Sequence, residues 1–144
     1  MGSVKNKNIK VTNLNIVKVP GGDVLHILKN HEKNYRGFGE AYFSWIKKKS
    51  IKAWKRHKNM TMNLVVPIGR VKFVFFKSDL KYHSQEIIGD KCYYRLTVPP
   101  GFWFGFQGLT KTNSLLLNIA NIPHDPKEVE KKPLNFINFK WSKE

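Results

Sequence analysis

The stretch Ile51-Lys52-Ala53-Trp54-Lys55-Arg56-His57-Lys58 reads best as a β-strand, in which successive side chains point to opposite faces. On that period Ala53, Lys55 and His57 share one face, and Lys52, Trp54, Arg56 and Lys58 share the other. Trp54 among three cations has two readings: a platform on which a base stacks, or a cover for a neighbouring strand or subunit. On both sides of this stretch the chain is a series of short β-branched or aromatic runs broken by turn residues. Before it come Val11 to Val19, closed by Pro20-Gly21-Gly22-Asp23, then Val24 to Leu28, a polar loop from Lys29 to Tyr35, and Gly39 to Ile46. After it come Asn63 to Ile68, Arg70 to Phe76, Glu86 to Ile88, Tyr93 to Val98, Phe102 to Phe106 and Ser114 to Ile119. Pro126 to Lys132 reads as one turn or a short helix. So many short strands at regular spacing predict an all-β sandwich or barrel.

Composition narrows the class. With 144 residues, 41% of them hydrophobic and 13% aromatic, the chain can bury a core, which excludes wholesale disorder. The length fits one domain over residues 1–144, with residues 1–3 read as start residues. A single cysteine, Cys92, excludes an internal disulfide framework and a Cys-rich zinc site, and favours a cytoplasmic address. Apolar runs are interrupted within about ten residues, against the roughly 20 that a spanning helix needs, so no membrane association is expected. The formal charge is +16, from 26 Lys+Arg against 10 Asp+Glu. Only Arg36, Arg56, Arg70 and Arg95 are arginines, the residue that nucleic-acid readers favour for bidentate contacts. The charge therefore reads either as anion binding or as compositional bias on a solvated surface, and nucleic acid is not the expected partner.

The spacing Lys55-x-His57, then Met62, then Gly69 matches the first motif of the cupin superfamily. Pro99-Pro100-Gly101-Phe102-Trp103-Phe104 matches the Pro-x-Gly-x-x-His of its second motif. The chain thus resembles a cupin, which implies a jelly roll (a double-stranded β-helix). Three of the four metal-ligand positions hold Lys55, Met62 and Phe104, so neither a metal nor any other cofactor is expected. Within the superfamily the wording is similar to metal-free dTDP-4-dehydrorhamnose 3,5-epimerases. Arg36-Gly37-Phe38-Gly39-Glu40 resembles their Arg-Gly-Phe-Phe-Phe-Glu, and Lys52-Ala53-Trp54-Lys55 stands where they have Arg-Gly-Leu-His. Pro99 to Phe106 resembles Pro-x-Gly-Phe-Ala-His-Gly-Phe, and Ser114 to Asn118 stands at Glu-Phe-Leu-Tyr-Lys. The likeness runs from about residue 36 to 125; sugar 3,4-ketoisomerases share the scaffold. The departures are in the machinery. The family's base histidine falls on Lys55, its tyrosine on Leu117, its second-motif histidine on Phe104, and its lysine near Met62 or Asn63.

The resemblance implies an isomerase acting on a nucleotide-linked 4-keto-sugar through an enolate, in surface polysaccharide biosynthesis. Such chemistry needs a base for the carbon-bound proton and a cation or donor for the enolate oxygen. His57 is the residual base, and Lys55 the enolate partner or an alternative base. Arg36 is the candidate for gripping a diphosphate. Thr61, Asn63 and Gln107 are candidates for sugar hydroxyls, with buried strand-pairing roles as the alternative. Tyr42 and Trp103 either line the pocket or pack in the core. Asp125 beside His124 is read as a turn cap. A sugar 3,4-ketoisomerase and a non-catalytic sugar-binding cupin remain open as alternatives, and the family implies a homodimer.

Overall fold

The short runs pair into two five-stranded antiparallel sheets laid face to face, in a computed structural model that describes residues 8–142. The expected start residues 1–3 lie outside the described residues. The strands are β1 (Lys10–Asn13), β2 (Ile16–Val17), β3 (Val24–Leu25), β4 (Glu40–Ile46), β5 (Ile51–His57) and β6 (Met62–Ile68). They continue as β7 (Arg70–Phe76), β8 (Tyr82–Gly89), β9 (Tyr94–Val98), β10 (Trp103–Gly108), β11 (Ser114–Ala120) and β12 (Val129–Lys131). One sheet runs β1-β9-β6-β11-β4 and the other β12-β5-β10-β7-β8, while β2 and β3 form a small separate hairpin. The all-β jelly-roll expectation holds.

Beyond shifts of one or two residues, the structure departs from the sequence reading in four places. The Val11 to Val19 run splits into β1 and β2, and the strand expected from Val24 to Leu28 stops at Leu25. Strand β8 begins at Tyr82, well before Glu86, because its first residues pair with β7 through main-chain bonds that side-chain hydrophobicity does not report. Pro126 to Glu128 is a single 3-10 turn capped by Asp125, and the next three residues form β12 on the free edge of β5. Asp125 acts as the turn cap that was expected.

Between the sheets lies an apolar core of Ile46, Leu64, Val66, Val71, Phe73, Phe75, Leu96 and Val98, among others. A second, aromatic cluster covers the outside of the β5-β10-β7 sheet: Trp54, Val74, Phe76, Trp103 and Ile137, with Phe136, Phe139 and Trp141 packed on it. Those last aromatics belong to the segment after β12, which straps the sheet from outside. Trp54 is 1% exposed, and its indole N–H donates to the Leu134 carbonyl at 3.0 Å. Its burial contributes on the order of 3 kcal/mol, and it is no platform for a base.

One irregularity in β5 decides which lysines face inward. The pairing of β10 with β5 shifts between Phe104 and Gly105, so that Lys55 lies opposite Phe104 and Ala53 opposite Gly105, with Trp54 the extra residue. Ala53 and Trp54 both pack into the outer cluster. Lys52 lies opposite Phe106, an inward ring like Phe104, and so turns to the side of Lys55 and His57. Strict alternation had placed Lys52 with Trp54 and Ala53 with Lys55; the bulge exchanges them. Glycine is required opposite this point, since a Cβ on Gly105 would lie 2.5 Å from that of Ala53.

Candidate active site

His57 closes β5, and its position is fixed from both directions. The Gly101 N–H donates to the His57 carbonyl at 2.8 Å, and Gly101 itself has φ +103°, a left-handed conformation natural to glycine. The Pro-x-Gly wording thus serves to pin the end of the strand. The imidazole stacks on Phe104, with ring centres 5.8 Å apart and planes 16° from parallel. Its Nδ1 meets Oε1 of Glu128, a residue only 4% exposed. The other oxygen of Glu128 accepts from the N–H groups of Lys58, Asn59 and Met60 at 3.1, 3.0 and 3.2 Å.

Electrostatics assigns the proton on His57. Burial pushes the Glu128 carboxyl upward, but the Asn59 N–H, His57 and the Met60 N–H outweigh it and hold the acid below its ordinary value. An ionised carboxylate only accepts, so Nδ1 carries the hydrogen and Nε2 keeps a free lone pair. Burial pulls the imidazole below its ordinary 6.5, against the upward pull of Glu128. At neutral pH His57 is therefore a neutral base with a fixed tautomer.

The chamber that His57 lines holds about 70 Å³. From the second sheet come Lys55, His57, Phe73, Phe104 and Phe106; from the first come Tyr42, Ser44, Met62, Leu64, Leu116 and Asn118. Tyr42 and Asn118 touch, the amide Nδ2 donating to the phenol oxygen at 3.0 Å. The four cupin ligand positions, Lys55, His57, Met62 and Phe104, converge here as their spacing implied. An ammonium, a thioether, a phenyl ring and one imidazole do not fit a metal ion. Among the described residues no group of three or more His, Cys, Asp or Glu could hold one.

The chamber opens past Lys55 into a wider mouth of about 390 Å³ between the edge strand β4 and the β5-β12 side of the other sheet. Lys52, Lys55, Lys131 and Lys132 line it, and no carboxylate does. Lys131 pairs in register with Lys55 across the β12-β5 ladder. Partial burial, then the charges of Lys131 and Lys52, draw the Lys55 amine below the ordinary lysine value. The acids on and beside β12 are engaged elsewhere: Glu130 pairs with Arg56 at 2.7 Å, and Glu128 is saturated.

Lys55, His57 and Tyr42 are thus brought together, and five other candidates are not. Trp103 lies on the outer face against Phe136, with ring centres 4.9 Å apart. Gln107, also outward, is bonded in both directions to the Ser142 backbone and staples the C-terminal strap. Asn63 faces away from the chamber, accepting from Thr97 and donating to the Asn34 carbonyl under the Lys29–Phe38 loop. At the strand end the Thr61 N–H donates to the side-chain Oδ1 of Asn121, and the Thr61 carbonyl accepts from the Asn121 N–H. The Arg36 guanidinium folds back on carbonyls of its own loop, those of Lys33 and Tyr35. Leu117, where the family's tyrosine was aligned, faces outward beside Phe43, and Leu116 and Asn118 line the chamber instead. Glu128 and Asn118 escaped the sequence reading. The second carried a signal, a polar residue inside the apolar run Leu115 to Ile119. Glu128 carried little, since its role depends on β12 folding back onto β5.

The crystal structure of a dTDP sugar isomerase from Desulfovibrio desulfuricans G20 is 33% identical, with a TM-score of 0.87 over 94% of this chain and 91% of that one. The chain belongs to the dTDP-sugar isomerase family. Its function is accordingly that of a nucleotide-sugar epimerase-like isomerase, on the cupin scaffold the sequence implied. The same fold recurs in a dTDP-4-dehydrorhamnose 3,5-epimerase from Sulfolobus tokodaii, 19% identical, TM-score 0.78, covering 91% of this chain and 80% of that one. It recurs also in QdtA, a sugar 3,4-ketoisomerase from Thermoanaerobacterium thermosaccharolyticum bound to TDP, at 17% identity and TM-score 0.74, covering 91% and 92%. No protein-family profile and no curated protein matches the chain. Among the described residues no helix is long and apolar enough to cross a membrane.

Proposed function

We propose that this isomerase acts on a nucleoside-diphosphate-linked 4-keto-sugar through an enolate. The reading is carried by one observation: a neutral, Glu128-oriented His57 lines the same chamber as Tyr42, beside a mouth lined by four lysines and no carboxylate. His57 Nε2 takes the proton from the carbon beside the ketone. The C–H pair becomes the C=C bond, the carbonyl π pair moves to oxygen, and the Lys55 ammonium stabilises the resulting enolate. Tyr42 belongs to the opposite sheet, so its O–H returns a proton from the other face, as inversion of a carbon requires. Incubation with TDP-4-keto-6-deoxyglucose in D₂O should place deuterium on carbon next to the ketone. The labelled carbon and the final position of the carbonyl separate epimerisation from 3,4-ketoisomerisation. Absence of exchange over a broad set of nucleotide-linked keto-sugars would sink both.

In place of Arg36, we assign the diphosphate to the lysine mouth. Among the described residues no acid pairs with the Lys52 and Lys131 ammonium groups, whereas Lys132 is partly occupied over the Phe136 ring at 5.5 Å. Replacing Lys52 and Lys131 together by glutamine should weaken TDP binding about 100-fold by calorimetry, one charge-assisted hydrogen bond at a time. The exposed control Lys111→Gln, with the same kind of charge change, should bind like wild type. Equal affinity of the double variant and the control would remove this subsite.

We further assign the expected homodimer contact to the outer face of the first sheet. There Phe43 and Trp45 are 62% and 59% exposed and stand beside Leu117 and Leu115. Sedimentation should give twice the 16.8 kDa chain mass, and Trp45→Glu should give the monomer. A wild-type monomer at tens of micromolar would reject the assignment.

A further inference from the structure

We propose that Asn118 reads the sugar: its Oδ1 accepts a hydrogen bond from a substrate hydroxyl, while its amide nitrogen holds Tyr42 as a proton donor. The inference rests on the isomerase reading above and adds to it a determinant of which sugar is accepted and how it lies.

Asn118 is 3% exposed and lines the same chamber as His57. Its Nδ2 donates to the Tyr42 oxygen at 3.0 Å and lies 3.9 Å from the sulfur of Met60, so both amide hydrogens are directed at acceptors. Its Oδ1 is buried without a hydrogen-bond partner. Buried side-chain acceptors are satisfied in the large majority of cases, and this one belongs to a residue that lines the chamber, where a ligand donor would satisfy it. Among the described residues two other buried polar atoms lack partners, Arg95 Nε and Trp141 Nε1, and neither residue borders the chamber. Arg95 is already bonded to the Ile27 carbonyl and paired with Glu32.

The unpaired atom is an acceptor, which sorts the possible ligands. A carbonyl or phosphate oxygen cannot satisfy it; a hydroxyl can. The chamber therefore has two chemically different poles, Lys55 for the ketone or enolate oxygen and Asn118 for a ring hydroxyl. A sugar bound by both has a fixed orientation with respect to His57. Tyr42, by accepting from Asn118, keeps its own hydrogen free for the substrate.

Asn118→Leu preserves size and removes both bonds, whereas Asn118→Asp keeps an acceptor. The measurement compares TDP-4-keto-6-deoxyglucose with its 2-deoxy and 3-deoxy analogues, by kcat/KM and by calorimetric affinity, with TDP alone as a third ligand. Wild type should prefer the full sugar over one of the analogues by 100-fold or more, because the analogue leaves Oδ1 unpaired. Asn118→Leu should reduce that preference to within about threefold, Asn118→Asp should retain most of it, and both should bind TDP within twofold of wild type. Unchanged preference in Asn118→Leu, with TDP binding intact, overturns the proposal. If Asn118→Leu does not fold, a wild type indifferent to both analogues overturns it equally. Should wild type bind the sugars with the stated preference yet exchange no deuterium, the role of Asn118 stands and the isomerase reading falls.

Discussion

His57→Asn should lower solvent-deuterium exchange into a nucleotide-linked keto-sugar by about 1,000-fold, within the range of a lost general base. Asparagine is close in size, and its amide can still donate to Glu128, so the end of β5 and the Glu128 contacts to Lys58, Asn59 and Met60 stay in place. The thermal midpoint should therefore move by only a few degrees, while a transfer that needs a nitrogen lone pair stops. TDP affinity should be unchanged, since the mouth lysines are untouched. If His57→Asn retains exchange and Lys55→Ala loses it, the base is Lys55. The pH dependence gives an independent check. The working form of His57 is neutral and its folded pKa lies below 6.5, so kcat/KM should be level at pH 7 and fall only on the acid side of 6.5. Stability follows the same sign. The unfolded chain takes up this proton near 6.5 and the folded one does so later, so the contribution of His57 is complete above 6.5 and is lost as pH falls through the folded value.

Glu128→Gln should cost about 100-fold or more in kcat, although Glu128 never touches substrate. Glutamine can keep its carbonyl oxygen on the three N–H groups, which turns its NH₂ toward Nδ1 of His57. Nδ1 then becomes the acceptor, the hydrogen moves to Nε2, and the lone pair needed for carbon deprotonation is buried on the wrong side. The carboxylate also raises the His57 pKa, so its loss should carry the acid limb of kcat/KM to still lower pH. A purely structural role would lower the fraction of active enzyme and leave the limb where it was. The pH profile separates the two explanations: a reduced rate with an unmoved limb counts against Glu128 as the orienting partner.

The wild-type arrangement makes clear why one partner of this pair was legible and the other was not. His57 sits in a spacing pattern with Met62, Gly69 and the Pro99-Pro100-Gly101 turn, so its place at a strand end facing inward followed from local wording. Glu128 is 71 residues away and lies in a segment whose Pro126 to Lys132 pattern suggested a short helix. Only the docking of β12 on β5 makes it a partner. Arg36 and Gln107 lie away from the chamber for the complementary reason. Each has suitable chemistry, but a loop carbonyl or a strap residue satisfied the side chain first.

The +16 charge follows the same division. Composition excluded disorder and a disulfide scaffold, alternation and turn residues specified strands, and motif spacing located the chamber with Lys55 and His57 at its wall. Those properties are local or nearly so, and a linear reading captures them. Which lysines matter depended on the extra residue at Trp54, which turns Lys52 inward, and on β12, which brings Lys131 and Lys132 beside it. The tyrosine–asparagine pair likewise required β4 and β11 to align side by side. A bulge reverses a face and a strand pairing joins distant residues, and both are decided by packing against a partner strand rather than by neighbours in the chain.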